Sequence, residues 1–298
     1  MANRVLIGTA SWTDKTLIDS GLFYPATVRT PEERLRFYAA HFPLVEVDSS
    51  YYAMPSARNS VLWSARTPPG FVFDVKAFRL FTQHQTPPAA LPRDIREALG
   101  TVGKKNLYYR DLPGELLDEL WHRFREAIRP LRHDGKLGVV LFQFPPWFVH
   151  RASNLQHILA CRQHLADIPI AVEFRHRSWF EAPHRDAVLA FAREHGLAHV
   201  IADEPQGFAS SVPSVWEVTA SVAVVRLHGR NALTWNAKGL ASAADRFNYR
   251  YAESELRELA DSIRELSHQT GQVHVLFNNN FGDQAQRNAM ELQGMLKA

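Results

Sequence analysis

Residues 171–179 read AVEFRHRSW. Small and apolar residues lead into Glu173, and Arg175, His176, Arg177 and Trp179 follow at once. A strand carrying that many charges on its inward side should not pack, because an unpaired buried charge is expensive. The conflict disappears if the strand ends at an open mouth. In a barrel of parallel strands the carboxyl ends meet water or a ligand, so charges can stand at the rim.

The rest of the chain repeats this behaviour. Short runs rich in Val, Ile, Leu and Phe occur at Val5–Gly8, Leu44–Asp48, Phe71–Lys76, Leu137–Phe144, Ile170–Phe174, His199–Asp203, Val222–Gly229 and Val273–Asn278. Such runs suit strands buried on both faces. Helical patterns alternate with them. Thr30 with Glu33 forms a capping box ahead of Pro31. Ser56 and Ser153 open further helices, and a helical spacing of apolar residues covers 114–131. Helices over about 183–195 and 253–269 are expected to end at Gly196 and Gly271, and a last one starts near Gln284. Only 204–218 shows its helix poorly.

Eight strands in a βα rhythm predict a single (β/α)8 TIM-like barrel spanning 1–298 as one α/β domain. The segment 77–113 is an elaborated loop after strand 3, and a long loop follows strand 7. An open doubly wound sheet would favour a glycine-rich phosphate turn after strand 1, and neither GxGxxG nor GxxxxGK[ST] occurs.

Composition bounds the function. The 298 residues are 46% hydrophobic and 22% charged, with a net charge of +3, as expected for a globular chain whose charge argues only weakly for nucleic acid. Cys161 stands alone, which excludes an intrachain disulfide and a cysteine-rich metal site. The N-terminal apolar run is too short for a signal peptide and no stretch is long enough to span a bilayer. A cytoplasmic protein without membrane contact is the expectation.

Polar residues gather at the carboxyl ends of the runs. Strand alternation places Lys76, Glu173, Arg175, Arg226 and His228 on inward-facing sides. Cations then outnumber carboxylates, and the guest is expected to be an anion held by Lys76, Arg175, Arg226 and Arg230. Glu173 and His228 become the candidates for proton transfer. Trp12, Tyr51 and Trp179 would form walls, with Asn278 also in the substrate-binding set. The competing interpretation is a closed salt-bridge network that only orders the mouth. No metal site is assigned, although a divalent metal could draw ligands from Glu46, Asp48, His84, Glu173, His176, Asp203 and His228. The long seventh loop, with Trp235, Phe247, Tyr249 and Tyr251, reads either as a lid and stacking platform or as ordinary loop packing.

Several long, irregular segments resemble the DUF72 (YecE-like) family in order along the chain: GTASW, FYP at 23–25, FPLVEVDSSYYAMPS, TPPGFVFDVKAFRLFTQH, LGVVLFQFPP, EFRHRSWF, VVRLHGRN and VHVLFNNNFGDQAQRNAMEL. The resemblance implies a TIM barrel and brings no reaction with it. The chain departs from the usual family pattern in GTASW for GTSGW, in Asp48 for Asn and in FNNN for FNND, and the last two move a carboxylate within the rim. Two functions follow as expectations: an enzyme acting on an anionic, phosphorylated small molecule or a nucleic-acid end, and a non-catalytic nucleic-acid-binding protein using the basic mouth and the aromatic loop.

Overall fold

The structure is a computed structural model that describes residues 4–100, 103–240 and 242–297; the outermost residues of the predicted 1–298 span and residues 101–102 of the predicted excursion lie outside the described residues. In chain order the elements are β1 (Arg4–Thr9), α1 (Lys15–Ser20), α2 (Pro31–His41), β2 (Leu44–Val47), α3 (Ser49–Tyr52), α4 (Ala57–Ala65), β3 (Val72–Lys76), α5 (Arg93–Leu99), α6 (Gly114–His133) and β4 (Leu137–Gln143). They continue with α7 (Ala152–His164), β5 (Ile170–Glu173), α8 (His184–Glu194), β6 (Leu197–Asp203), β7 (Val222–Leu227), α9 (Glu253–Ser267), β8 (Gln272–Phe277) and α10 (Gln284–Lys297).

Each strand pairs in parallel with the next, and β8 closes onto β1 from Arg4↔Gln272 to Thr9↔Phe277. The result is the predicted eight-stranded closed barrel. Alternation along each strand divides the core into two layers. Leu6, Leu44, Val72, Leu141, Val200 and Leu276 fill the barrel interior. Ile7, Val45, Phe73, Phe142, Val172 and Phe277 face outward and pack in the larger cluster against the helices.

Local chemistry explains the framework. Thr30 and Glu33 make the reciprocal cap of α2, with Pro31 in its first turn. The Tyr38 hydroxyl accepts from Thr9 N at 2.8 Å and donates to Leu44 O at 3.0 Å, tying α2 to β1 and to the start of β2. The Tyr24 hydroxyl donates to Trp12 O at 2.6 Å, which locks the GTASW turn.

The interior also holds a polar pair not foreseen from the sequence. Asp74 and His274 are both buried, with His274 Nδ1 2.8 Å from Asp74 Oδ2. Asp74 Oδ1 also accepts from Val139 N at 2.9 Å, where the β3–β4 register shifts. The carboxylate thus replaces a ladder carbonyl at a bulge. Gly138 makes room for it, since a Cβ there would lie 2.2 Å from Asp74 Oδ1.

Three local expectations need correction. No helix forms between β6 and β7, consistent with the proline- and serine-rich sequence of that connection. Helix α7 starts at Ala152 after Arg151, so Ser153 is not its cap. Gly196 does adopt a left-handed φ of 60° after α8, whereas Gly271 is not among the positive-φ glycines. The excursion after β3 contains α5 and a Thr86–Leu107 bridge.

Candidate functional site

Ala171, Glu173 and Arg175 follow the inward side, and Val172 and Phe174 face the helices. Trp179 turns back on Phe174, with ring centroids 3.9 Å apart, and its Nε1 donates to Phe148 O at 2.6 Å. The indole is fully buried in the helix-facing layer. Trp179 is therefore core and not a wall of the mouth. Trp12 is corrected in the same way: it lies edge-on to Trp63 and the outward-facing Phe73.

Inside the mouth, Arg226 is the hub. Its side chain is fully buried and forks onto Glu46, with Nε to Oε2 at 2.9 Å and an Nη to Oε1 at 2.8 Å. Its other terminal nitrogen donates to Glu173. Glu173 also accepts from Gln143 Nε2 at 2.7 Å and from Arg175 at 3.1 Å. Arg175 donates further to Glu204 at 2.8 Å. The second Glu204 oxygen accepts from Val212 N at 2.8 Å, which ties the helix-free β6–β7 connection to the mouth. At the other edge Lys76 donates to Asp48 at 2.7 Å.

The expected excess of cations is therefore not found. Glu46, Asp48, Glu173 and Glu204 stand against Lys76, Arg175 and Arg226. Glu46 and Glu204 lie at strand ends like the other candidates, and their inward alternation was the signal that could have placed them in this network.

His228 is buried beside Glu173, with Nε2 3.1 Å from Oε1, yet Nε2 has no aligned hydrogen-bond partner. Asn278 Nδ2 lies 2.8 Å from His228 Nδ1. With the amide donating, the ring proton resides on Nε2 and faces Glu173. Asn278 thus holds the imidazole in one tautomer. Arg230 does not join this group. It is bound to Asp203 through Nε and an Nη, at 3.0 and 2.8 Å, and to Glu255 at 3.0 Å. The Tyr251 hydroxyl also donates to Asp203, at 2.7 Å. Tyr51 stands at the rim, with Lys76 Nζ 5.0 Å and the Arg79 guanidinium 5.2 Å from its ring centre.

The loop after β7 covers this cluster. Trp235 is buried, and the Arg175 guanidinium lies 4.7 Å from the centre of its ring. Trp235 and Phe247 are each 6.4 Å from the His228 ring. Tyr249 and Tyr251 instead pack against each other beside Gly229, which is loop packing in that part of the loop.

The electrostatics separate the carboxylates. Burial pushes Glu46 and Glu204 up to about 7, against the pull of Arg226 and Arg175 respectively. Burial would also raise Glu173, but Arg226, His228 and Arg175 overcome it and hold Glu173 well below its ordinary value. Burial lowers His228 to about 3, so the imidazole is neutral at pH 7. Burial would lower Lys76, yet Asp48 and Glu46 keep it above its ordinary value. Among the described residues no group of three or more His, Cys, Asp or Glu side chains is placed to hold a metal ion.

A closed parallel barrel with its ionisable cluster at the carboxyl end places the chain in the (β/α)8 class. The chain belongs to the DUF72 family: the family model described as "Protein of unknown function DUF72" matches residues 6–298. It is 36% identical over 295 residues to the UPF0759 protein YunF of Bacillus subtilis, covering 98% of this chain and 94% of that one. A solved DUF72 protein from Enterococcus faecalis superposes with a TM-score of 0.81 at 28% identity, covering 99% of this chain and 96% of that one. One from Thermotoga maritima gives 0.77 at 30% identity, covering 99% and 100%. No helix of the described residues is long and apolar enough to cross a membrane.

Proposed function

We propose that this protein is an enzyme that performs proton-transfer chemistry on an anionic, phosphate-bearing small molecule at the carboxyl-end mouth of its barrel. The observation that carries this reading is the buried pair of His228 and Glu173, with Nε2 3.1 Å from Oε1 and Trp235 6.4 Å from the imidazole. The pair lies in a mouth whose carboxylates are tuned apart.

The division of labour follows from those environments. Glu173, held ionised, orients Arg226 and Arg175 and stabilises positive charge beside it. Neutral His228 offers its Nε2 proton to a developing negative charge. Glu204 is the better-matched base or acid, since a group titrating near 7 both holds and releases a proton at working pH. Arg175, between Glu173 and Glu204, is the anchor for the anion. An anion arriving there competes with Glu204, which takes up a proton as it is displaced.

That proton gives the test. Calorimetric titration with inorganic phosphate and with simple phosphate monoesters is expected to show affinity falling as pH rises through about 7, with uptake of up to one proton. Arg175→Met is expected to abolish the binding. Absence of binding in the wild type, or binding unchanged in Arg175→Met, defeats the proposal. The non-catalytic nucleic-acid interpretation is weaker, because Lys76, Arg175, Arg226 and Arg230 are each ion-paired. It would instead require affinity for DNA or RNA that drops roughly 10³-fold or more between low and moderate salt.

A further inference from the structure

Outside the mouth, a cavity of about 450 Å³ opens between the excursion after β3 and the start of α7. Its lining includes Arg110, Arg151, Trp147, Tyr108, Gln83 and His157. Arg110 and Arg151 are both exposed, and neither side chain makes an ion pair or a hydrogen bond among the described residues. This sets them apart from Lys76, Arg175, Arg226 and Arg230, whose charges are already answered. Trp147 is 50% exposed, although a large aromatic gains most from burial.

The cavity wall is held in a particular shape. Gln83 is the one described non-glycine residue with a positive φ, 63°, a conformation that L-residues seldom adopt. Its carbonyl accepts from Trp147 Nε1 at 3.3 Å, so the unusual backbone fixes one edge of the indole. His157 presents Nε2 to Phe81 O at 2.8 Å, which leaves Nδ1 as an acceptor in the neutral ring.

We infer that this cavity binds a nucleotide, with the base stacked on Trp147 and the phosphate held by Arg110 and Arg151. Free guanidinium groups call for an oxyanion, because their planar forks match phosphate oxygens. An exposed indole beside them calls for a flat ring, and stacking on an aromatic side chain contributes about 1–3 kcal/mol per base. The cavity volume is within the range of small-ligand pockets. The inference goes beyond the mouth chemistry and does not require it. The same ring and phosphate could come from a free nucleotide or from the end of a nucleic-acid strand.

Titration with AMP, adenosine and inorganic phosphate tests it. AMP is expected to bind, and adenosine and phosphate each at least about tenfold more weakly, since each lacks one of the two contacts. Arg110→Ala/Arg151→Ala and, separately, Trp147→Ala should each weaken AMP about tenfold or more; all three side chains are exposed, and circular dichroism confirms that the variants fold. Failure of AMP to bind, or AMP binding unchanged in these variants, overturns the inference. Arg175→Met separates this site from the mouth. AMP binding that survives Arg175→Met but not the double variant supports the cavity. The reverse pattern places the nucleotide in the mouth and overturns it. A 5′-phosphorylated oligothymidine that binds more tightly than AMP, through the same arginines, identifies a strand end as the source; equal or weaker binding identifies the free nucleotide.

Discussion

Glu173 shows how one side chain can be central without being the proton carrier. It faces Gln143, Arg175, Arg226 and His228 at once. Breaking a buried ion pair from one side typically costs about 3–5 kcal/mol, because the remaining charge has no partner. Here Arg226 keeps its fork on Glu46, and Arg175 keeps Glu204. Glu173→Gln is therefore expected to fold with a loss toward or below the lower end of that range, to retain or strengthen sulfate binding, and to lose any specific turnover. Thermal denaturation with and without sulfate measures this. A large loss that sulfate does not restore would assign the cluster to structure alone.

At the scale of the element, β4 depends on Gly138. The residue has no unusual φ requirement; it is needed because Asp74, Val72 and His274 occupy the space where a side chain would begin, at 2.2, 2.7 and 2.8 Å. Gly138→Ala must displace the Asp74 carboxylate from Val139 N or part the β3–β4 bulge. Overpacking a filled interior costs about 1–3 kcal/mol or more, and losing the acceptor of a buried amide adds about 1–3 kcal/mol. The variant is expected to lose several kcal/mol in urea unfolding. A midpoint shift equivalent to less than about 1 kcal/mol would mean that β3 and β4 adjust freely there.

For the whole molecule, the carboxylates of the mouth act on stability in opposite directions. Glu46 and Glu204 titrate near 7 when folded, against an ordinary value of 4.5. Between those values the folded chain binds more protons than the unfolded chain, so their contribution is fully present below about 4.5 and is lost as pH rises through about 7. Glu173 is shifted down, and its contribution is present above 4.5 and lost as pH falls through its lower folded value. Glu204→Gln removes one titration. Its melting temperature relative to wild type is expected to improve between about pH 5 and about pH 8. A constant offset across that range would show that Glu204 is already ionised when folded.

Much of this molecule was legible in the chain alone. The eight apolar runs, the cap at Thr30 and the polar residues at the carboxyl ends reflect local periodicity and backbone chemistry, which a sequence carries directly. Alternation also placed Glu173, Arg226 and His228 on converging sides, because the period of two is a property of each strand by itself. What only the tertiary structure decided was pairing across the barrel. Glu46 and Arg226 lie 180 residues apart and Asp74 and His274 lie 200 apart, so no spacing along the chain announces either pair. The same holds for Trp12 and Trp179: an indole next to a charged motif is ambiguous until packing shows whether it faces the mouth or the helices. The charge balance of the mouth is not legible in the chain for the same reason: a carboxylate counts at a site only when the fold brings it there.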